Sequence, residues 1–365
     1  MLTLGFMTLN LKTEAGYFTE IARRAKEHEI ICYRFIPSKF SPLTEQIEGE
    51  RFDPDKDAWV EEQFLIPSIL YDRCFYGHDL HSRQCKGIVN WFKTKDKIQF
   101  LGFGLPNKLM LYEALTKSKL APYIPRTIQA RSSEQVYQLL QDKRRIILKP
   151  TDGSGGSGIY SIELYNKEFI VKTDKMTHQV SRTFKSKSTL LSWLDRILSK
   201  ADYMLQPFLS LQNERNQPFD IRALLQKDQF GHWSMIGKGI RQGKEGGIVS
   251  NLNYGGIAIN FEEWLANLDE RKRRFIIEEI DDILTSLPTI LETQFPPLFE
   301  LGVDIGIAKD LSIWILDVNS KPGRKVLLET KPELKDFLYE SPLLYAKFLQ
   351  ERRPEPYERE RVISD

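Results

Sequence analysis

The sequence predicts an α/β protein in two parts: an N-terminal third built on a parallel sheet, then a longer α+β remainder. Three observations carry this. Over residues 1 to about 100, strand-like runs alternate with helix-like ones, the pattern of a parallel sheet with crossover helices. Further on, strand-like runs follow one another across short glycine-rich or polar turns, as in antiparallel hairpins. At 365 residues the chain is too long for one compact core, so two or three domains are expected.

In order, "LTLGFMTL" reads as a first strand and "EAGYFTEIARRAKEHE" as a helix with Ile21, Ala25 and His28 near one face. "ICYRFIP" is a second strand and "FLIPSILYDRC" a third apolar run. Asn107 is placed to cap a helix over "NKLMLYEALTKSKLA", and Ser132 or Ser133 one over "RSSEQVYQLLQDK". "RRIILKP" and "IYSIEL" are strands flanking a glycine loop, residues 186–200 are helical, and "YMLQPFL", "DIRALLQ" and "HWSMIGKGIRQ" are strands. One long amphipathic helix is expected over roughly 262–291. "FELGVDIGIAKDLSIWILDVN" then reads as two antiparallel strands joined at Lys309-Asp310. The expected division is 1–105, 106–205, 206–350 and a charged, proline-broken tail over 351–365.

An apolar content of 41% with 28% charged residues suits a soluble globular protein. The 52 basic and 50 acidic residues nearly cancel, so no long nucleic-acid footprint is expected. "MLTLGFMTLN" has no basic n-region and reads as a strand rather than a signal peptide. No run approaches the ~20 apolar residues that span a bilayer. Three cysteines do not make a complete disulfide framework. A reducing, cytoplasmic setting without membrane contact is the expectation.

The stretch "ILKPTDGSGGSGIYSIE" satisfies G-x-G-x-x-G through Gly153, Gly155 and Gly158. A dinucleotide fingerprint needs a helix after the third glycine, but "IYSIELY" alternates like a strand. A Walker loop fails too, since Ile159-Tyr160 stands where Lys-Ser/Thr is required. In protein kinases the phosphate-binding lysine follows the glycine loop; here Lys149 precedes it. A lysine at a strand end followed by a pliable hairpin remains, and its backbone N–H groups can face phosphate oxygens. Downstream, Asp304 lies on one strand, and Asp317 and Asn319 share a face of the next. Hard oxygen ligands on adjacent strands suit Mg²⁺.

Four stretches, "NKLMLYEAL", "ILKPTDGSGGSG", "DIRALLQ" and "SNLNYGG" followed by "GVDIG…LDVNSKPG", resemble the ATP-grasp superfamily, its glutamate-ligase and glutathione-synthetase branch in particular. Over residues 1 to 350, including the N-terminal "PSILYDR", the chain resembles the endospore coat-associated YheC/YheD type. The resemblance implies an ATP-grasp fold with an N-terminal pre-ATP-grasp domain. It implies ligation of a carboxylate to an amine or similar nucleophile through an acyl phosphate, releasing ADP and phosphate. ATP and Mg²⁺ would be required, with Mn²⁺ able to substitute.

By the same resemblance Lys108 and Lys149 reach the nucleotide phosphates under a flap of Gly153, Ser154, Gly155, Gly156, Ser157 and Gly158. Gln206, Pro207 and Phe208 form the adenine hinge, Asp220 is a nucleotide-site acid, and Glu214 is assigned to the ribose because Gln206 replaces an acid common at the hinge. Asp304, Asp317 and Asn319 are the metal ligands; Arg241 and Asn251, with Lys149, face the transferred phosphoryl and the acyl phosphate. Two departures bear on function. Asp317 stands where a longer glutamate is usual, and Val249 where glutamate ligases carry arginine. Substrates would be small-molecule or peptide carboxylates and amines. Spore-coat proteins, a homodimer and a spore-coat, forespore or mother-cell location are further options, as are a small-molecule kinase on the same site and a non-catalytic coat protein that binds nucleotide.

Cys74, His78, His81 and Cys85 are spaced as on one helix face. A helix would part the outer pair by ~16 Å, too far for zinc bonds of ~2.0–2.3 Å, whereas a loop would allow zinc, with ordinary packing and a polar surface as the alternative. "RKRR" at 271–274 reads as the solvated face of the long helix.

Overall fold

The computed structural model describes residues 1–152, 156–175 and 178–352. Its first sheet gathers β1 (Leu2–Met7), β2 (Ile30–Ser41), β3 (Gln46–Asp53), β4 (Ala58–Leu65), β5 (Ile69–Asp72) and β6 (Gln99–Phe100), with helices α1 (Ala15–Arg24) and α2 (Leu80–Lys93). The strand order is β4-β3-β2-β1-β5-β6. β2, β1, β5 and β6 run parallel, as expected, but β3 and β4 extend the sheet antiparallel from β2. The third apolar run is divided: Phe64 and Leu65 end β4, and the chain re-enters the sheet as β5.

The second sheet holds β7 (Ile128–Gln129), β8 (Arg145–Pro150), β9 (Tyr160–Tyr165), β10 (Glu168–Asp174), β11 (Gln179–Phe184) and β12 (Tyr203–Pro207) in the order β11-β10-β9-β8-β12-β7. It is covered by α4 (Ser133–Lys143) and α5 (Lys187–Leu198). Asn107 caps α3 (Lys108–Leu115), accepting from Met110 N at 3.0 Å, and Ser132 caps α4. The strands flanking the glycine loop, β8 and β9, do pair antiparallel.

The third sheet, β15-β14-β13-β16-β17, is built from β13 (Phe219–Lys227), β14 (Trp233–Gln242), β15 (Ile257–Asn260), β16 (Glu300–Ile307) and β17 (Ile313–Asn319). β16, between β13 and β17, is buried along its whole length, as an interior strand under a helix must be. The helix expected over 262–291 is two, α6 (Phe261–Ala266) and α7 (Glu270–Glu292). Asp269 breaks the run by accepting from Lys272 N at 3.0 Å and capping α7. Apolar side chains of α7 and α3, among them Ile280, Leu287 and Leu111, share one core with β13 and β16. α8 (Lys325–Thr330) and α9 (Lys335–Glu351) follow. Tyr339, Leu343, Tyr345 and Ala346 of α9 enter the core formed by β1 and α1.

The first and third sheets are also joined by buried charge. Arg73, fully buried, donates to Glu300 at 2.7 Å and to both carboxylate oxygens of Glu14. Glu300 also accepts from Arg324 and Tyr71, and the Arg324 guanidinium lies 3.8 Å from the Tyr17 ring centroid. The cleft opens beside this cluster, with Glu14 and Phe75 on its wall.

Candidate active site

Strand register builds the floor of the site. Asp220 on β13 opposes Arg241 on β14, Arg222 opposes Asp304 on β16, and Asp304 opposes Asp317 on β17. Directly opposed residues of antiparallel strands project to the same face, and Asn319 joins them two positions beyond Asp317. Arg222 grips Asp304 through two hydrogen bonds of 2.5 and 3.0 Å, and Arg241 grips Asp220 through two of 2.7 Å. Arg241 also reaches Asp304 at 2.8 Å, and Ser250 donates to Asp220.

Burial works against an ionised Asp304, yet Arg222 and Arg241 outweigh it and hold the carboxyl below its ordinary range. Burial likewise opposes the Arg241 charge, and Asp220 with Asp304 overcomes it, raising its pKa. Lys108, in the first turn of α3, donates to Asp317 at 2.7 Å. The Asn319 side-chain amide donates to the same Asp317 oxygen at 3.1 Å.

The opposite wall comes from the second sheet. Lys149 projects from β8 into the cleft. Burial and then the neighbouring Lys108 push its pKa down to about 8, against the pull of Asp317, Asp304 and Asp220. β12 pairs with β8 as far as Pro207, after which the chain leaves the sheet along the cleft. Gln206 is buried and its amide donates to Thr127 at 2.8 Å, tying β12 to the segment just before β7. The Phe208 ring lies under the Arg145 guanidinium, 3.5 Å from its centroid.

Lys108, Lys149, Gly156, Gln206, Pro207, Phe208, Asp220, Arg241, Asn251, Asp304, Asp317 and Asn319 thus line a single cleft of ≈ 500 Å³. Gly156 and Gly158 have φ of 81° and 74°, where a side chain would be strained. Ser157 is exposed and, with Gly158, stands off the cleft lining. Gly153, Ser154 and Gly155 lie outside the described residues. Glu214 is not brought to the cleft: hydrogen bonds of Asn213 with Gln217 fold its loop outward, leaving Glu214 exposed and Gln212 on the wall.

Sequence reasoning missed Arg222, Ser250 and the apolar pair Ile147 and Leu316, all on the lining. Arg222 had a signal: it sits two residues from Asp220 in "DIR", hence on the same face. Of the four residues weighed for zinc, His81 and Cys85 lie on α2, while Cys74 and His78 precede it.

The donor set fits a hard divalent ion. Asp304, Asp317 and Asn319 offer two carboxylates and an amide oxygen from adjacent strands. Mg²⁺ commonly takes one or two protein carboxylates and completes its shell with waters and substrate phosphates. Among the described residues no group of three or more His, Cys, Asp and Glu is placed to hold a metal.

The three sheets, the glycine hairpin and the lysine-and-carboxylate cleft are those of an ATP-grasp protein. A sequence profile of YheC/D-like ATP-grasp proteins matches residues 97–349, and the chain belongs to that family. It is 38% identical over 350 residues to the endospore coat-associated protein YheC of Bacillus subtilis (strain 168), covering 96% of each chain. Among solved structures, D-cycloserine synthetase DcsG superposes with a TM-score of 0.53 at 12% identity, covering 96% of this chain and all of that one. An ATP-grasp ligase from Chryseobacterium gregarium associated with ribosomally made peptides, solved with ADP and leader and core peptide, gives 0.53 at 12% identity over 95% and 97% of the two chains.

Proposed function

We propose that this protein is an ATP- and Mg²⁺-dependent ligase that joins a carboxylate to an amine or similar nucleophile, releasing ADP and phosphate. The observation that carries the reading is the meeting of Lys108 and Lys149 with the Asp304–Asp317 row beneath Gly156 in one cleft. Phosphoryl transfer asks a protein mainly for positioning and charge neutralisation. Lys108 and Lys149 would hold the phosphates, and Arg241, fixed by Asp220, would face the transferred group. The hinge after Pro207, with Ile147 and Leu316, would take the base. Asp304, Asp317 and Asn319 would hold Mg²⁺, which supplies charge neutralisation at the phosphates. An acyl phosphate hydrolyses readily, so a flap that excludes water protects it. The YheC relative's name extends the proposal to a role at the spore coat.

The test is ADP release coupled to candidate acid–amine pairs, with mass spectrometry for the new bond. Lys149→Ala is expected to lower turnover at least ~100-fold, as loss of one preorganised electrostatic contact does. Failure of the wild-type chain to bind Mg·ADP in calorimetry overturns the reading.

A further inference from the structure

The loop between β14 and β15 carries Ser250 and Asn251 into the cleft, and it is held from both sides. From below, its own half of the molecule supports it: Gly243 N donates to Pro218 O at 2.8 Å and Gly246 N to Asn216 O at 2.9 Å. From above it is gripped by the other sheet. Asp174, the last residue of β10, accepts from Ile248 N at 2.7 Å and Val249 N at 3.0 Å with one carboxylate oxygen. Its second oxygen accepts from the Gln179 side-chain amide at 2.9 Å, and that amide also donates to Gly246 O at 2.9 Å.

We infer that Asp174 is a positioning residue of the nucleotide site: it clasps the Ile248–Val249 backbone and so fixes Ser250 and the Arg241 it helps to orient. The inference rests on the nucleotide reading of the cleft. The path is short and continuous. Asp174 holds the Val249 amide, the next residue, Ser250, donates to Asp220, and Asp220 holds Arg241 with two hydrogen bonds. A carboxylate accepting two successive N–H groups is charge-assisted and directional, which suits a fixed tie between the second and third sheets. Gly156 meets the same point, since a Cβ on it would lie 3.6 Å from Val249 Cγ1. Val249 replaces the arginine of glutamate ligases, and here the position is governed through its backbone. Gly156 and the clasp therefore converge on one residue, Val249, and the clasp is expected to govern how long nucleotide stays bound rather than how fast it arrives.

The experiment uses the full chain with a methylanthraniloyl-ADP probe and Mg²⁺, comparing wild type, Asp174→Ala and Asp174→Asn. In D174A the Ile248 and Val249 amides should exchange at least about tenfold faster, and the probe should dissociate at least about tenfold faster, as loss of a charge-assisted hydrogen bond implies. Association should stay within about twofold and Tm within about 3 °C, and D174N, which keeps an acceptor oxygen, should fall between. Equal amide exchange in wild type and D174A overturns the clasp whether or not nucleotide binds. Faster exchange with unchanged probe release overturns the positioning role, as does a parallel loss of Tm and association rate. A wild-type chain that slows these amides yet binds no probe keeps the contact but sinks the nucleotide reading, and the positioning role with it.

Discussion

Lys108 Nζ donates to Oδ2 of Asp317 at 2.7 Å, joining the first turn of α3 to the edge strand of the third sheet across 209 residues of chain. The contact sets a phosphate-binding candidate against a metal-ligand candidate.

Asp317→Asn removes an anionic ligand and a lysine's counterion at once. The gain in ADP affinity that Mg²⁺ confers should vanish, while affinity without Mg²⁺ should not fall, because Lys108 is freed for the phosphates. Calorimetry with and without the metal reads this directly; an undiminished Mg²⁺ effect excludes the metal role.

Lys149 gives a pH dependence with a definite sign. Its pKa is pushed down to about 8 by burial and Lys108. Below that value the amine is already charged, and nucleotide binding takes up no proton there. Above it a neutral amine must gain a proton to meet a polyphosphate, so affinity falls as pH rises past about 8. Calorimetry in buffers of different ionisation enthalpy should show proton uptake at pH 8.5, and Lys149→Arg should abolish it. The same shift bears on folding. The unfolded chain binds more protons at this site, so the cost of charging Lys149 in the fold fades as pH rises from about 8 toward its ordinary value of 10.5.

Glu300→Ala strips Arg73 and Arg324 of a shared buried partner. Stability should fall by about 3–5 kcal/mol, the range for an uncompensated buried charge. Urea denaturation measures it; a loss under about 1 kcal/mol would mean the cluster rearranges around water.

Asp269→Ala should cost about 1 kcal/mol, the loss of one helix cap, and Asp269→Ser should recover most of it. Equal stability of all three chains in the same denaturation would show that α6 and α7 are separated by packing rather than by the cap.

Much of the site was legible because it obeys local periodicity. Asp317 and Asn319 share a strand face by simple alternation, and Asn107 and Ser132 cap where their helices begin. The unread parts depend on distance or on weak patterns. β11 reads QVSRTF with five of its six residues exposed, so no apolar period marks it. The break before Asp269 sits between two good helix formers, where only a cap decides. Arg222 and Asp304 meet across 82 residues, and Arg73 and Glu300 across 227; nothing in the local sequence encodes such partners. Glu214 shows the converse, a suitable side chain on a loop whose own hydrogen bonds turn it to solvent.

The docking of α9 on β1 and α1 gives this molecule a particular order of assembly. As the polypeptide leaves the ribosome, its opening domain emerges with one flank of its interior uncovered, and the aromatic and aliphatic side chains that seal it, Tyr339, Leu343 and Tyr345, are synthesised only after every residue of the cleft. That domain should therefore mature only once α9 has emerged, and shortened versions ending before Lys335 should be sticky and short-lived even though every residue of the cleft is present.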